Sequence, residues 1–89
     1  MNETPETRLK RLSMRSHRRG TKEMDIILGR YADDRLGAMG AAALDHYEAL
    51  LAENDQDLYA WVMGLLPAPE RFAGLLAEIA DHARQAARG

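Results

Sequence analysis

Apolar residues recur along this chain at the three- and four-residue steps of a helix, and no stretch alternates apolar with polar as a half-buried strand does. Met24, Ile27, Leu28 and Tyr31 fall at i, i+3, i+4 and i+7, a one-sided stripe that predicts a helix capped by Gly20 or Thr21 and running to about Ala32. Ahead of it, Thr4 and Pro5 read as an N-cap followed by proline at the first helical position. They open a helix from about Pro5 to Arg19 whose apolar positions are sparse: Leu9, Leu12 and, at the margin, Met14. Gly20 is its expected stop, in the left-handed conformation that other residues resist. The two glycines and Asp pair of 32–40 predict a connection with room for one short turn.

Leu44, Tyr47, Leu50 and Leu51 mark the buried face of a third helix from about Ala41 to Glu53. Asp55 is placed to cap a short fourth helix, Gln56 to Met63, carrying Leu58, Trp61 and Val62 and closing at Gly64. Trp61 is the expected anchor, because an indole is the largest apolar side chain available. Leu65 to Pro69 form a stiff elbow, since proline restricts itself and the residue before it. A fifth helix starts at Pro69 or Glu70 and buries Phe72, Leu75, Leu76, Ile79 and Ala83. The class is therefore all-α: one single-domain bundle of five helices spanning 1–89, with frayed tails at 1–4 and 85–89.

Eighty-nine residues suffice for one core but leave little interior for a deep, dry pocket. That weighs against a self-contained enzyme. Cysteine is absent, which excludes a thiolate nucleophile and fits a reducing compartment. No apolar run reaches the ~20 residues of a membrane span, and the N-terminal Met1 to Glu6 lacks the apolar core of a secretory signal. Its two glutamates also suit a mitochondrial presequence badly, so the expectation is a soluble, cytoplasmic chain with no membrane contact.

The charge is uneven although the net is only −2. Seven of the twelve cations (Arg8, Lys10, Arg11, Arg15, Arg18, Arg19 and Lys22) precede Glu23, and twelve acids against five arginines follow from Glu23 onward. A basic arm on an acidic body favours an anionic partner for the arm, or an arm folded back on the body. A pI near 5.9 weighs against nucleic acid as a partner. His17, His46 and His82 lie on three different expected helices without metal-ligand spacing, so no metal site is expected. Asp45-His46 and Asp81-His82 are sequence neighbours that point apart on a helix and read as surface residues. Ser13 and Ser16 read as helix-surface serines. Neither of the usual glycine-rich nucleotide cradles is present, so tight FAD binding by this chain itself is not expected.

What remains is the corner Arg18-Arg19-Gly20-Thr21-Lys22-Glu23-Met24-Asp25. A guanidinium fork suits carboxylates, glycine admits close approach, and the helix start presents free N–H groups. Nothing there is a nucleophile, so the corner reads as a docking surface. Arg19, Gly20 and Glu23 resemble the R-G-x-x-E signature of the SdhE family, the FAD assembly factors also called succinate dehydrogenase assembly factor 2. Asp55, Asp57, Leu58, Trp61 and Gly64 are similar to that family's D-x-D-L-x-x-W-x-x-G segment. The similarity spans about Arg8 to Ile79.

The resemblance implies a five-helix domain that is not itself an enzyme. By that resemblance it is expected to bind the flavoprotein subunit of succinate dehydrogenase, or of fumarate reductase, and to promote covalent attachment of FAD to a histidine of that partner. Arg19, Gly20 and Glu23 carry over as signature residues, with Arg18 and Asp25 supporting. Arg19 is expected to meet a carboxylate or dipole of the partner, Gly20 to admit its backbone, and Glu23 to cap nearby N–H groups or pair with Arg19. Thr21 departs from the bulkier apolar residues common in the family at its position, and 35–40 is unusually rich in glycine. The competing class is a generic helical interaction module, antitoxin-like or associated with nucleic acid through the basic first helix.

Overall fold

The structure, a computed structural model, describes residues 3–88. Five helices follow one another: α1 Pro5–His17, α2 Lys22–Arg35, α3 Ala41–Leu51, α4 Asp55–Val62 and α5 Glu70–Arg88, with a 3-10 turn at Leu36–Ala38 after α2. The described residues contain no strand. Local signals set most of the boundaries. Thr4 Oγ1 accepts from the Thr7 N–H at 3.1 Å and Thr21 Oγ1 from the Met24 N–H at 3.2 Å, each satisfying a donor that a helix start leaves unpaired. Gly64 turns the chain after α4 with φ of 73°, a conformation that favours glycine.

Several boundaries differ from the sequence expectation, among them the end of α3, at Leu51 rather than Glu53. α1 ends at His17 rather than Arg19. α2 continues three residues past Ala32, because Tyr31, Ala32 and Leu36 all face the core. Asn54, not Asp55, caps α4: its Oδ1 accepts from the Gln56 N–H at 2.7 Å, which releases Asp55 for another role. α5 runs through Arg88, past the point where fraying was expected, and Gly89 lies outside the described residues.

α1 and α5 both pack on α2, and α4 closes the space between α2 and α5. Tyr31, Tyr47 and Phe72 are the largest fully buried side chains, and the two tyrosine rings sit 5.8 Å apart. Leu12, Met24, Leu28, Leu50, Leu58 and Ile79 fill the space around them. Trp61 is not the central anchor the sequence suggested. On a helix of only eight residues, Leu58 and Val62 occupy the inward i, i+4 positions, and Trp61 lies half-buried against the core's edge. Met14 is 52% exposed, which leaves Leu12 and the half-buried Leu9 as the inward stripe of α1.

Candidate functional site

The bend between α1 and α2 is held by carboxylates from elsewhere in the chain. Past His17 the backbone leaves helical geometry at Arg18, with φ of −127° and ψ of 61°. The next two N–H groups are then caught in turn: Arg19 N–H donates to Asp25 Oδ1, and Gly20 N–H donates to Asp55 Oδ2. Gly20 does not adopt the left-handed conformation expected of a helix stop, since Gly64 is the one described residue with positive φ. Its missing Cβ matters for room. A Cβ there would stand 2.8 Å from Asp55 Oδ2, closer than real contacts allow.

The Arg19 side chain turns inward. Its Nε donates to Asp55 Oδ1 at 2.7 Å, one terminal nitrogen donates to the Leu51 carbonyl at 2.8 Å, and the other to the Glu53 carbonyl at 3.1 Å. Leu51 is the last residue of α3, so the guanidinium satisfies carbonyls at a helix C-terminus, where partial negative charge accumulates. The ion pair is largely dry, with side-chain exposures of 9% for Arg19 and 16% for Asp55. One residue thus ties the α1–α2 bend to the end of α3 and the start of α4. The expected contact between Arg19 and a partner's carboxylate is already made inside the chain, by Asp55.

The outward side of the bend carries Arg18, Gly20, Lys22 and Glu23, all exposed, while Asp25 is half-buried. Glu23 is the second residue of α2. A reciprocal capping box needs the glutamate one position later, where Met24 stands. Among the described residues nothing hydrogen-bonds to or pairs with the Glu23 carboxylate, so neither of its expected internal roles is realised. Beside it lies a shallow hollow of about 320 Å³ lined by Thr21, Glu23, Asp55, Gln56 and Tyr59. The expected set therefore divides into Arg19 and Asp25 within, and Arg18, Gly20 and Glu23 without. Asp55 joins the inner group; its pairing 36 residues from Arg19 left no periodic trace in the sequence.

Two polar side chains expected at the surface are buried. Ser16 is fully enclosed, donating to the Leu12 carbonyl at 2.8 Å and meeting Tyr47 OH at 2.6 Å. With the serine proton committed to Leu12, Tyr47 donates to Ser16. Burial pushes the Tyr47 hydroxyl up to about 12. His82 is 6% exposed because α5 lays it against α2, where Nε2 meets Asp34 Oδ2 at 2.7 Å and the ring stands edge-on to Tyr31. Burial, then the bond its hydroxyl donates to Glu78, raises Tyr31 further. His17 remains exposed beside Asp33, and His46 leans on Phe72. Among the described residues no three potential ligands come together to hold a metal, and no helix is long and apolar enough to cross a membrane.

The basic arm folds back on the acidic body. Arg8 bonds Asp45 at 2.6 Å and Glu48 at 3.1 Å, and Arg11 bonds Glu48 and Glu3, each at 2.8 Å. Hydrogen bonds from Arg11, then Arg8, hold the Glu48 carboxyl below its usual range, and Arg11 does the same for Glu3.

Residues 10–83 match the family described as flavinator of succinate dehydrogenase. Relatives named succinate dehydrogenase assembly factor 2, mitochondrial, include a Meyerozyma guilliermondii protein, 38% identical over 79% of this chain and 54% of its own length. One from Yarrowia lipolytica is 39% identical over 80% of this chain and 51% of its own, and one from Mycosarcoma maydis 36% identical over 81% and 30%. The chain spans about half the length, or less, of these relatives. Their names overturn the cytoplasmic expectation and point to mitochondria. The lack of cysteine fits any reducing compartment and does not select the cytoplasm. By the match of most of its length, and by its all-helical fold, the chain belongs to the succinate dehydrogenase assembly factor 2 (SdhE) family of flavinators.

Proposed function

We propose that the chain binds the flavoprotein subunit of succinate dehydrogenase and promotes covalent attachment of FAD to that subunit. The observation that carries this reading is the bend itself: Arg18, Gly20 and Glu23 face solvent on a backbone pinned by Arg19, Asp25 and Asp55. A surface held this firmly loses little conformational freedom when it docks. Flavinylation requires the flavin ring and the acceptor histidine to be held in near-attack geometry, and positioning alone is worth about 7–11 kcal/mol of barrier. A rigid clamp on the partner supplies part of that positioning. The bond is made on the partner, and FAD is held there rather than by this chain.

Arg19 enters this reading as a positioning residue, setting the bend from behind. Glu23, with no partner of its own among the described residues, is the group offered to the flavoprotein, where it meets N–H or cationic donors. The nucleic-acid alternative is weakened by the internal pairing of Arg8 and Arg11, since phosphate binding depends on cations free to displace counterions. The test mixes the chain with apo flavoprotein and FAD and follows flavin fluorescence that survives denaturing electrophoresis. Faster or more complete labelling than without the chain supports the reading; equal labelling overturns it.

A further inference from the structure

The outer face of α1 carries a second feature that the bend does not explain. Thr7, Arg11, Met14 and Arg18 follow one another at i, i+4, i+7 and i+11, and with Lys10 and Arg15 they line a hollow of about 470 Å³. Met14, one of these lining residues, is 52% exposed. Arg11 and Arg15 are turned toward Glu48, at 2.8 and 3.8 Å. Among the described residues Lys10 and Arg18 have no ion-pair partner, and both are exposed. The pattern is one apolar side chain between two free cations, the cations about 12 Å apart along the helix at 1.5 Å per residue.

We propose that this face docks an acidic amphipathic helix of the flavoprotein partner, with an apolar residue on Met14 and carboxylates about two turns apart meeting Lys10 and Arg18. The inference rests on the proposed function and extends its interface from the bend along α1, Arg18 being common to both. Charge complementarity selects the occupant. An anionic membrane needs a broad apolar face to insert, and here one methionine is offered. A nucleic acid rewards a run of unpaired cations, and here the neighbouring arginines are already engaged by Glu3 and Glu48. A discrete acid, apolar, acid pattern fits what remains.

The double variant Lys10→Glu/Met14→Glu changes two exposed side chains and leaves every residue of the bend in place. Association with apo flavoprotein in the presence of FAD is followed by biolayer interferometry, with helicity checked by circular dichroism and Ala87→Glu/Arg88→Glu, at two exposed positions, as a charge-matched control. The expected result is binding weaker by about tenfold or more, with slower and less salt-sensitive association, while the control binds as the original chain does. Binding equal to the original overturns the inference and leaves the proposed function standing. Failure of the unaltered chain to bind apo flavoprotein overturns both. A photo-crosslinking residue at 14 is expected to attach to a partner segment with carboxylates flanking an apolar residue; attachment to a neutral or basic segment overturns the inference. So does loss of binding to phosphatidylglycerol vesicles or duplex DNA with flavoprotein affinity unchanged.

Discussion

Asp55 grips both adjacent residues of the bend with one carboxylate: Oδ1 accepts from Arg19 Nε at 2.7 Å, and Oδ2 accepts from the Gly20 N–H. The bend at Arg19 and Gly20 and the acidic start of α4 are thus two halves of one latch. Removing the acid leaves the Arg19 guanidinium only 9% exposed and without its countercharge. Asp55→Ala is therefore expected to lower the unfolding free energy by about 2–4 kcal/mol, read from urea denaturation. Flavinylation should fall too, although Asp55 belongs to the inner side of the bend. Unchanged stability would show that the latch does not hold it.

Gly20→Ala tests the same latch from the other side. The backbone there needs no positive φ, so the cost comes from the clash between the new Cβ and Asp55 Oδ2 at 2.8 Å. The substitution is expected to cost about 1–2 kcal/mol, and that cost should largely vanish in an Asp55→Ala background, a coupling read by a double-mutant cycle. Additive effects would place the strain elsewhere.

Much of this architecture was legible because its signals are local. The Met24, Leu28 and Tyr31 stripe, the Thr4 and Thr21 caps and the Gly64 turn all depend on residues a few positions apart, and each stands where the pattern put it. The bend was recognisable as a site, but its inner and outer sides were not. Which way Arg19 faces depends on Asp55, Leu51 and Glu53, brought near by the packing of α3 and α4 rather than by spacing along the chain. Ser16 with Tyr47, and His82 with Asp34, are hidden for the same reason, lying 31 and 48 residues apart. A polar side chain carries no mark in the sequence that says a distant partner will bury it.

The buried Ser16–Tyr47 pair gives an asymmetric prediction. Tyr47→Phe leaves the serine bonded to Leu12, whereas Ser16→Ala strands the tyrosine hydroxyl in a dry site. Ser16→Ala is expected to cost about 1–3 kcal/mol and Tyr47→Phe nearer 1 kcal/mol, because an unpaired buried donor carries its full desolvation penalty. Thermal or urea unfolding distinguishes them, and the reverse order contradicts the assigned donor.

Acid should loosen α1 from α3. Glu48 and Glu3 have carboxyls held below the ordinary 4.5 by the bonds they accept, first from Arg11. A folded-state pKa below the unfolded one adds stability that is present above the unfolded value and is lost as pH falls through the folded value. Unfolding free energy is expected to fall more steeply with acid below pH 4.5 in the original chain than in Glu48→Gln. Equal slopes from urea titrations at a series of pH values would remove Glu48 from that role.

Glu23 isolates the outward side of the pinned bend, the surface proposed to meet the flavoprotein, because its carboxylate holds nothing together within the described chain. The measurement is the affinity of Glu23→Gln for apo flavoprotein with FAD present, alongside its unfolding free energy. Stability is expected to stay within about 1 kcal/mol of the original, the scale of a helix N-terminal charge, and binding to weaken by about tenfold or more. Affinity equal to that of the original chain would contradict that reading of the bend.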